Sequence, residues 1–277
     1  MPTVADKRLT FRKLHEAGCF VIPNPWNVGT ARYFQHLGFK ALATTSSGFA
    51  HAQGFADGAV PRDMMLEHLR EIVEAADVPV NADFEGGYAD APEGVAESVR
   101  LCIATGVAGL SIEDSTNDAA KPLYDFELAL ARVRAARAAI DKAGGDVVFT
   151  ARTEGFVRGR PDLEETIRRL EAFADAGADC LYSPGIKTRE EIVATVKAVA
   201  PKPVNLLMSS ATGFTVTDIA EMGVRRISVG GALARVAWNG LMRAAREIAE
   251  RGKFDSFAGV VGNAELNALF SEDAKNR

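Results

Sequence analysis

The sequence predicts an α/β protein in which eight parallel strands, each followed by a helix, close into a (β/α)8 TIM barrel. Short apolar runs rich in β-branched residues alternate with longer stretches of helical period, and eight such units follow one another. Strict alternation requires parallel strands, and eight uninterrupted units close most naturally into a barrel. No G-x-G-x-x-G follows the first strand, which disfavours an open dinucleotide-binding sheet.

The predicted strands are four or five residues long, as barrel strands are. They are Cys19–Pro23, Ala41–Thr45, Pro79–Asp83, Gly109–Glu113, Val147–Ala151, Cys180–Ser183, Pro203–Leu207 and Arg226–Val229. Glycine or proline follows most of the predicted helices, as expected at a helix end. The helices are Val28–Leu37, Arg62–Ala76, Pro92–Thr105, Tyr124–Ala143, Asp162–Ala176, Thr188–Ala200, Thr215–Met222 and Ala232–Arg251.

The last segment, Phe254–Arg277, has an apolar face and belongs to none of the eight strand–helix units. We predict that residues 1–277 form one barrel domain and that this segment is a C-terminal helical extension. It would pack on the barrel or on a neighbouring subunit.

The composition is that of an ordinary globular protein. The 277 residues are 47% apolar and 25% charged, with a formal net charge of −5. The basic residues are scattered, which disfavours a nucleic-acid or anionic-membrane partner. No apolar run approaches the roughly 20 residues that span a bilayer, and the N-terminus has no apolar signal segment. We therefore expect a cytoplasmic protein whose three widely separated cysteines are buried structural thiols.

Acidic side chains gather where the third, fourth and fifth strands end. The sequence there reads Asn81-Ala-Asp83-Phe-Glu85 after strand three, Glu113-Asp114 after strand four and Arg152-Thr-Glu154 after strand five. Active sites of this fold lie at the carboxyl ends of the strands. Carboxylates that converge there repel one another unless a cation sits among them, and hard oxygen ligands favour Mg²⁺ or Mn²⁺. The alternative is that each acid caps the helix that follows it.

Other polar residues at the strand ends are candidates for substrate binding. Arg152 could hold a carboxylate through paired hydrogen bonds, or could form only a salt bridge to Glu154 or Asp114. Strand two ends in a hydroxyl-rich turn, Thr44–Phe49, where Gly48 would let a ligand approach the backbone. Two asparagines, Asn27 and Asn205, are placed either to donate inward or to serve their own turns.

Taken in order, these motifs resemble the isocitrate lyase and phosphoenolpyruvate mutase superfamily over nearly all of residues 11–245. The resemblance implies that Ser47, Gly48 and Phe49 form the family's carboxylate-binding turn. It further implies that Asp57, Asp83 and Glu113 are acids at or near the metal, and that Arg152 belongs to the active site. The family's helix-swapped tetramers imply that this chain is a homo-oligomer, a dimer or a tetramer, with its C-terminal segment exchanged between subunits.

The departures from the family pattern narrow the expected chemistry. The first Asp of the family's metal loop is Asn81 here, and Glu85 could supply the missing charge. The lyase branch has a catalytic Cys on the loop after strand four, whereas this chain has Ser115-Thr-Asn117-Asp-Ala-Ala-Lys121. An isocitrate or methylisocitrate lyase is therefore disfavoured. Asn117 is similar to the Asn that the mutase and phosphonopyruvate hydrolase branch carries on this loop.

The chemistry implied is Mg²⁺-dependent breakage of a carbon–carbon or carbon–phosphorus bond next to the carbonyl of a 2-oxo acid, through an enolate. Arg152, Asn117 and Ser47 are the predicted catalytic residues. The metal would lie among Asp57, Asp83, Glu85 and Glu113, and Mn²⁺ could replace Mg²⁺. Which bond is broken stays open at this point.

Three other functions remain in view. A Schiff-base aldolase needs a lysine at the carboxyl end of a strand, and none is found there, since Lys40 and Lys202 precede their strands. A phosphate-ester aldolase or isomerase could use Gly230 and Gly231 at the start of the last helix, although these glycines could equally form a tight turn. A non-catalytic barrel is the third, and the presence of Asp83, Glu113 and Arg152 argues against it.

Overall fold

The computed structural model describes residues 2–116 and 118–275. Its eight strands form one parallel sheet in the order β1-β8-β7-β6-β5-β4-β3-β2, which confirms the predicted barrel. The strands are β1 Phe20–Ile22, β2 Leu42–Ala43, β3 Val80–Asp83, β4 Gly109–Glu113, β5 Val148–Arg152, β6 Cys180–Tyr182, β7 Val204–Leu207 and β8 Arg226–Ser228. At the remaining edge, between β1 and β2, the amide of Ala43 donates to the carbonyl of Pro23 at 3.1 Å, so the barrel is nearly closed.

Helices surround the strands and shield their outer faces. They are α1 Val4–Leu14, α2 Val28–His36, α3 Ser46–Ala52, α4 Arg62–Ala75, α5 Pro92–Ile103, α6 Phe126–Lys142, α7 Leu163–Asp175, α8 Arg189–Ala198, α9 Val216–Glu221, α10 Ala232–Arg251 and α11 Asn263–Lys275, with a 3₁₀ turn at Asp255–Phe257. The apolar core lies between this helical layer and the barrel, where Leu69, Val99 and Phe173 are fully buried. Burial of this core stabilises the packing of helices on the barrel and so holds the ends of the strands in position.

Helix α1 is absent from the sequence-based prediction. Its N-terminus is closed by a capping box, in which Thr3 accepts from the amide of Asp6 and the Asp6 side chain accepts from the amide of Thr3. Phe11 on this helix is fully buried, and His15 at its end packs edge-on against Phe11. Phe11 packs against Gly109, the first residue of β4, so the helix closes the end of the barrel opposite to the carboxyl ends of the strands.

The region after β2 differs most from the prediction. Strand β2 stops at Ala43 because Thr45 becomes the N-cap of α3 and accepts a hydrogen bond from the amide of Gly48. The predicted turn Thr44–Phe49 is therefore largely the first turn of a helix. Strand β5, in contrast, runs one residue further than predicted and includes Arg152.

The C-terminal segment lies on the outside of the barrel. Asp273 on α11 is 3.6 Å from Arg32 on α2, which ties the segment to its own chain. Several large apolar side chains on α10, on α11 and between them stay exposed, among them Leu241, Val260 and Phe270. The exchange of this segment between subunits and the dimeric or tetrameric state stay predictions. Within the described residues, no helix combines the length and apolarity needed to cross a bilayer.

Candidate functional site

Two adjoining cavities lie at the carboxyl ends of the strands, where the sequence predicts the site. The outer cavity has a volume of about 840 Å³ and is lined by loops that follow β2 to β5. The inner cavity, of about 200 Å³, continues from it between the strands. Ser46, Asp57 and Arg152 line both cavities, so they mark the place where the two meet.

Arg152 is the centre of the polar network at this place. Its guanidinium donates to Asp83 at 2.7 Å and to Glu154 at 2.7 Å, and lies 3.1 Å from Glu113. Its carbon Cζ also lies 4.9 Å from the centre of the Tyr182 ring. Burial acts to lower the pKa of Arg152, and the surrounding Glu154, Glu113 and Asp83 raise it well above its ordinary value. The guanidinium therefore stays charged.

Asp83 is held from two sides. Its Oδ1 accepts from Arg152, and its Oδ2 accepts from both the amide and the hydroxyl of Ser46, each at 2.9 Å. Ser46 begins α3, so the N-terminus of that helix points at the carboxylate. The bridge between α3, β3 and β5 thus fixes the orientation of Asp83 before any ligand binds.

The loop after β3 contains two non-glycine residues with a left-handed backbone conformation. Glu85 has φ 48° and Tyr88 has φ 56°, which is the left-handed region that non-glycine residues rarely adopt. Oε1 of Glu85 is buried, and it makes no hydrogen bond with any described residue. Burial, followed by the charges of Asp83, Glu113 and Asp57, raises the pKa of Glu85 to about 8. Such local strain is typical of functional sites.

The four predicted metal-binding acids are brought to the two cavities. Asp57, Glu85 and Glu113 line the outer cavity, and Asp57 and Asp83 line the inner one. The pKa of Asp57 is raised by burial and by Asp83 and Glu113, so the carboxylates lie close enough to repel one another. Their direct role in metal binding stays a prediction.

This donor set fits a small hard cation. Among residues 2–116 and 118–275, no three acidic, histidine or cysteine side chains already stand at metal-binding distances. Mg²⁺ is commonly held through one or two carboxylates and several waters, and needs no such complete cage. The mutual repulsion of the acids and the unpartnered oxygen of Glu85 are the features that a divalent cation would relieve.

The predicted substrate-binding turn is only partly placed for that role. The amide of Gly48 donates to Thr45 Oγ1 and the amide of Phe49 donates to the Thr45 carbonyl, so both are engaged within α3. The ring of Phe49 faces away from the cavities and stacks on His68 at 3.8 Å. Ser47 does line the inner cavity, and its hydroxyl is 3.2 Å from that of Thr45.

Asn27 is not brought to the site. It is exposed, and its side chain caps α2 by accepting from the amide of Thr30 at 2.8 Å. The inner cavity is lined instead by Asn24, which the sequence analysis does not single out. Asn24 Oδ1 accepts from the amides of Val229 and Gly230 and so holds the turn after β8. Those amides are therefore engaged, which favours the tight-turn interpretation of this segment over a phosphate site.

Asn205 lies deeper than predicted. It is buried inside the barrel, where it donates to Ser228 and accepts from Arg226 at 2.8 Å. It lines only the inner cavity, whereas Arg152 lines both. Asn117, the predicted catalytic residue of the β4–α6 loop, lies outside the described residues.

Besides Asn24, three residues that the sequence analysis did not propose for catalysis or binding belong to the site. Ser46 holds Asp83, Glu154 holds Arg152, and Arg158 lines the outer cavity beside Glu113. Asp114, in contrast, is turned away, since it is buried against Thr153 and Arg169 and anchors the start of the β5–α7 loop. The position of Ser46 next to the predicted Ser47 could have indicated its role from the sequence. Nothing in the sequence indicated the orientation of Asp114.

Comparison with known proteins places the chain in a family. The sequence profile of the family described as phosphoenolpyruvate phosphomutase matches residues 11–249. An oxaloacetate decarboxylase of Paraburkholderia xenovorans is 29% identical over 239 residues, which cover 83% of this chain and 77% of that protein.

Solved structures agree with this placement. A protein of Burkholderia cenocepacia described as a lyase or mutase is 44% identical with a TM-score of 0.93, over 97% of both chains. Oxaloacetate acetylhydrolase in complex with its product oxalate is 27% identical with a TM-score of 0.85, over 98% of both chains. Similarity of sequence and of fold therefore extends over nearly the whole chain.

Proposed function

Because this chain belongs to the phosphoenolpyruvate mutase and isocitrate lyase superfamily of enzymes, we propose that it acts on a small 2-oxo acid or a related carboxylate. The reaction is cleavage or rearrangement of a carbon–carbon or carbon–phosphorus bond next to the carbonyl, through an enolate. Mg²⁺ is the proposed cofactor, and Mn²⁺ would serve in its place. The single observation that carries the proposal is the cluster of Arg152 with Asp83 and Glu113 at the mouth of the barrel.

Asp57, Asp83, Glu85 and Glu113 would hold the cation, directly or through waters. When bound, the cation supplies electrostatic stabilisation of the negative charge that develops on the substrate oxygens. Asp83 suits this role because Ser46 and Arg152 already orient it.

Arg152 is the proposed stabiliser of the enolate charge. It is fixed among three carboxylates and stays protonated, so its positive charge needs no rearrangement during the reaction. Ser47 lines the inner cavity near the N-terminus of α3 and is the proposed donor to the substrate carboxylate. Asn117 stays the proposed residue of the loop that covers the substrate.

Two of the competing functions lose support. Within the described residues, no lysine lines either cavity, so a Schiff-base aldolase lacks its nucleophile. A phosphate-ester enzyme would use the amides of Gly230 and Gly231 after β8, and that of Gly230 is bound to Asn24.

The first experiment measures Mg²⁺-dependent release of pyruvate from oxaloacetate, phosphonopyruvate and a series of 2-alkylmalates. We expect turnover of one of these compounds, loss of turnover with excess EDTA, and a fall in kcat/KM of at least about 100-fold in Asp83→Asn. Asp63→Asn is the matched control, because Asp63 has the same chemistry on the exposed face of α4. The identity of the substrate would show which bond is broken.

Calorimetric titration with oxalate tests the assignment of the site independently of the identity of the substrate. If no compound is turned over but oxalate binds only with Mg²⁺, the site assignment holds and the substrate is another carboxylate. If oxalate binds equally with and without Mg²⁺, or if Asp83→Asn behaves as Asp63→Asn does, the proposed function is wrong.

A further inference from the structure

Arg152 has little capacity left for a substrate anion. Its Nε and Nη2 both donate to Glu154, its Nη1 donates to Asp83, and Nη2 also lies 3.1 Å from Glu113. With 14% of its side chain exposed, it can approach a ligand only at one edge. A second anionic group on the substrate would therefore need another cation.

Arg158 is that other cation. It lies on the loop between β5 and α7 and, of the described residues, it and Arg152 are the cationic side chains that line the outer cavity. Its Nη2 donates to the hydroxyl of Ser115 at 3.2 Å and is 3.6 Å from Glu113 Oε1. No other hydrogen bond of its guanidinium to a described residue is formed, and 44% of the side chain is exposed. Its remaining donors therefore have no described partner, on a side chain that lines the outer cavity.

Acidic side chains outnumber cationic ones in the lining of the outer cavity. Its lining carboxylates are Asp57, Glu85, Asp90, Glu113, Asp118 and Glu154, against two arginines. Each of these acids that is ionised repels a second anionic group of the substrate. A substrate with a second anionic group gains from direct contact with a guanidinium, which binds carboxylates and phosphonates in a planar, paired geometry.

The dimensions agree with such a ligand. A volume of about 840 Å³ exceeds what the carboxyl and carbonyl end of a small 2-oxo acid requires. In the proposed function the reacting end of the substrate binds at Arg152 and Ser47, which both line the inner cavity, whereas Arg158 lines only the outer one.

We propose that Arg158, whose guanidinium is held in place by the hydroxyl of Ser115, binds the second anionic group of a dianionic 2-oxo acid and thereby selects such substrates. This assignment rests on the proposed function and deepens it. It makes Arg158 a specificity residue, distinct from Arg152 at the reacting end.

The test compares two ligands of equal charge that differ in reach. Oxalate represents only the carboxyl and carbonyl end of the substrate, whereas 3,3-difluorooxaloacetate carries a distal carboxylate as well. Both are dianions, so any long-range effect of removing a positive charge cancels in the ratio of their affinities. Binding is measured by calorimetry with Mg²⁺ for the wild type, Arg158→Gln and Arg158→Lys, with Arg160→Gln as the control from the same loop.

We expect Arg158→Gln to lower the affinity for 3,3-difluorooxaloacetate about 10- to 100-fold, as loss of a charged hydrogen bond does. The affinity for oxalate should change less than about threefold. Arg158→Lys should fall between, because it keeps the charge and loses the paired geometry. Arg160→Gln should match the wild type.

Three outcomes would overturn the assignment. Equal weakening of both ligands would mean that Arg158 only supports Glu113 and Ser115, and unchanged affinities would mean that it does not touch the ligand. If the wild type binds neither compound with Mg²⁺, the proposed function itself fails and the assignment falls with it. Circular dichroism and thermal melting of each variant identify an unfolded protein, and Arg158→Lys then decides the result.

Discussion

Two arginines on the inner face of the barrel have opposite surroundings. Arg152, at the mouth, lies among the carboxylates of Asp83, Glu113 and Glu154. Arg226 on β8, towards the floor, is 3% exposed and donates to Asn205 at 2.8 Å and to Thr150 at 3.0 Å. No described carboxylate forms an ion pair with Arg226.

His15 completes the surroundings of Arg226. Its Nε2 is 3.3 Å from Nη1 of Arg226, and its Nδ1 is 2.8 Å from the carbonyl of Phe11. A guanidinium can only donate and a carbonyl can only accept, so His15 is neutral with its proton on Nδ1. The floor therefore satisfies one charge with neutral groups, whereas the mouth collects more negative charge than its arginines balance. The difference agrees with the proposed function, in which the mouth binds a cation and an anion, and favours a structural role for the floor.

The largest predicted effects on activity and stability come from replacing Arg152 or Arg226. We expect Arg152→Gln to lower kcat/KM at least about 1000-fold and to lower the free energy of unfolding by roughly 3–5 kcal/mol, because three carboxylates lose their cation. Added Mg²⁺ should recover part of the lost Tm. Arg226→Gln should lose about 2 kcal/mol through its hydrogen bonds, with kcat/KM reduced less than about tenfold and no recovery by Mg²⁺.

Chemical denaturation with and without Mg²⁺, together with steady-state kinetics, measures both variants. If Arg226→Gln abolishes activity as Arg152→Gln does, or if Mg²⁺ recovers both alike, the division between a binding mouth and a structural floor is wrong.

A smaller effect concerns pH and the floor. Burial and the charge of Arg226 lower the pKa of His15 to about 3. The pKa of His15 is lower in the folded than in the unfolded protein, so neutral His15 contributes its full stability above about pH 6.5. That stability is lost as the pH falls towards 3. We expect the loss to reach about 3 kcal/mol at pH 4 and to be absent in His15→Gln.

Urea denaturation from pH 7 to pH 4 checks this prediction. His68, whose pKa burial lowers to about 4, adds a loss of the same sign, so His68→Gln is measured in parallel. An unchanged pH slope in His15→Gln would mean that His15 does not stay neutral beside Arg226.

The smallest effect separates two asparagines of the β1–α2 loop. Asn27→Ala should destabilise the protein by about 1 kcal/mol through loss of its helix cap and leave kcat/KM unchanged. Asn24→Ala should lower kcat/KM about tenfold, since it frees the turn after β8 that lines the inner cavity. A tenfold loss of kcat/KM in Asn27→Ala would instead support the substrate-binding role that the sequence predicts for it.

Much of the site could be predicted because the fold puts strand ends together. Once the alternation indicates a parallel barrel, Asp83, Glu113 and Arg152 must meet at one end, whatever the details of packing. The side chains of Phe49 and Asn27 could not be placed in this way. Their directions depend on where a helix starts, and Thr45 and Asn27 each act as an N-cap that turns the following residues.

The sequence by itself determined the barrel, its eight strands and the acidic character of its mouth, because periodicity and strand-end chemistry are local properties of the chain. Only the tertiary structure decided which charges meet. Ser46 reaches Asp83 across 37 residues, and Arg158 reaches Ser115 across 43, through contacts that packing of separate loops creates. Such contacts depend on distances of a few ångströms between segments far apart in sequence, and no local pattern of residues specifies them.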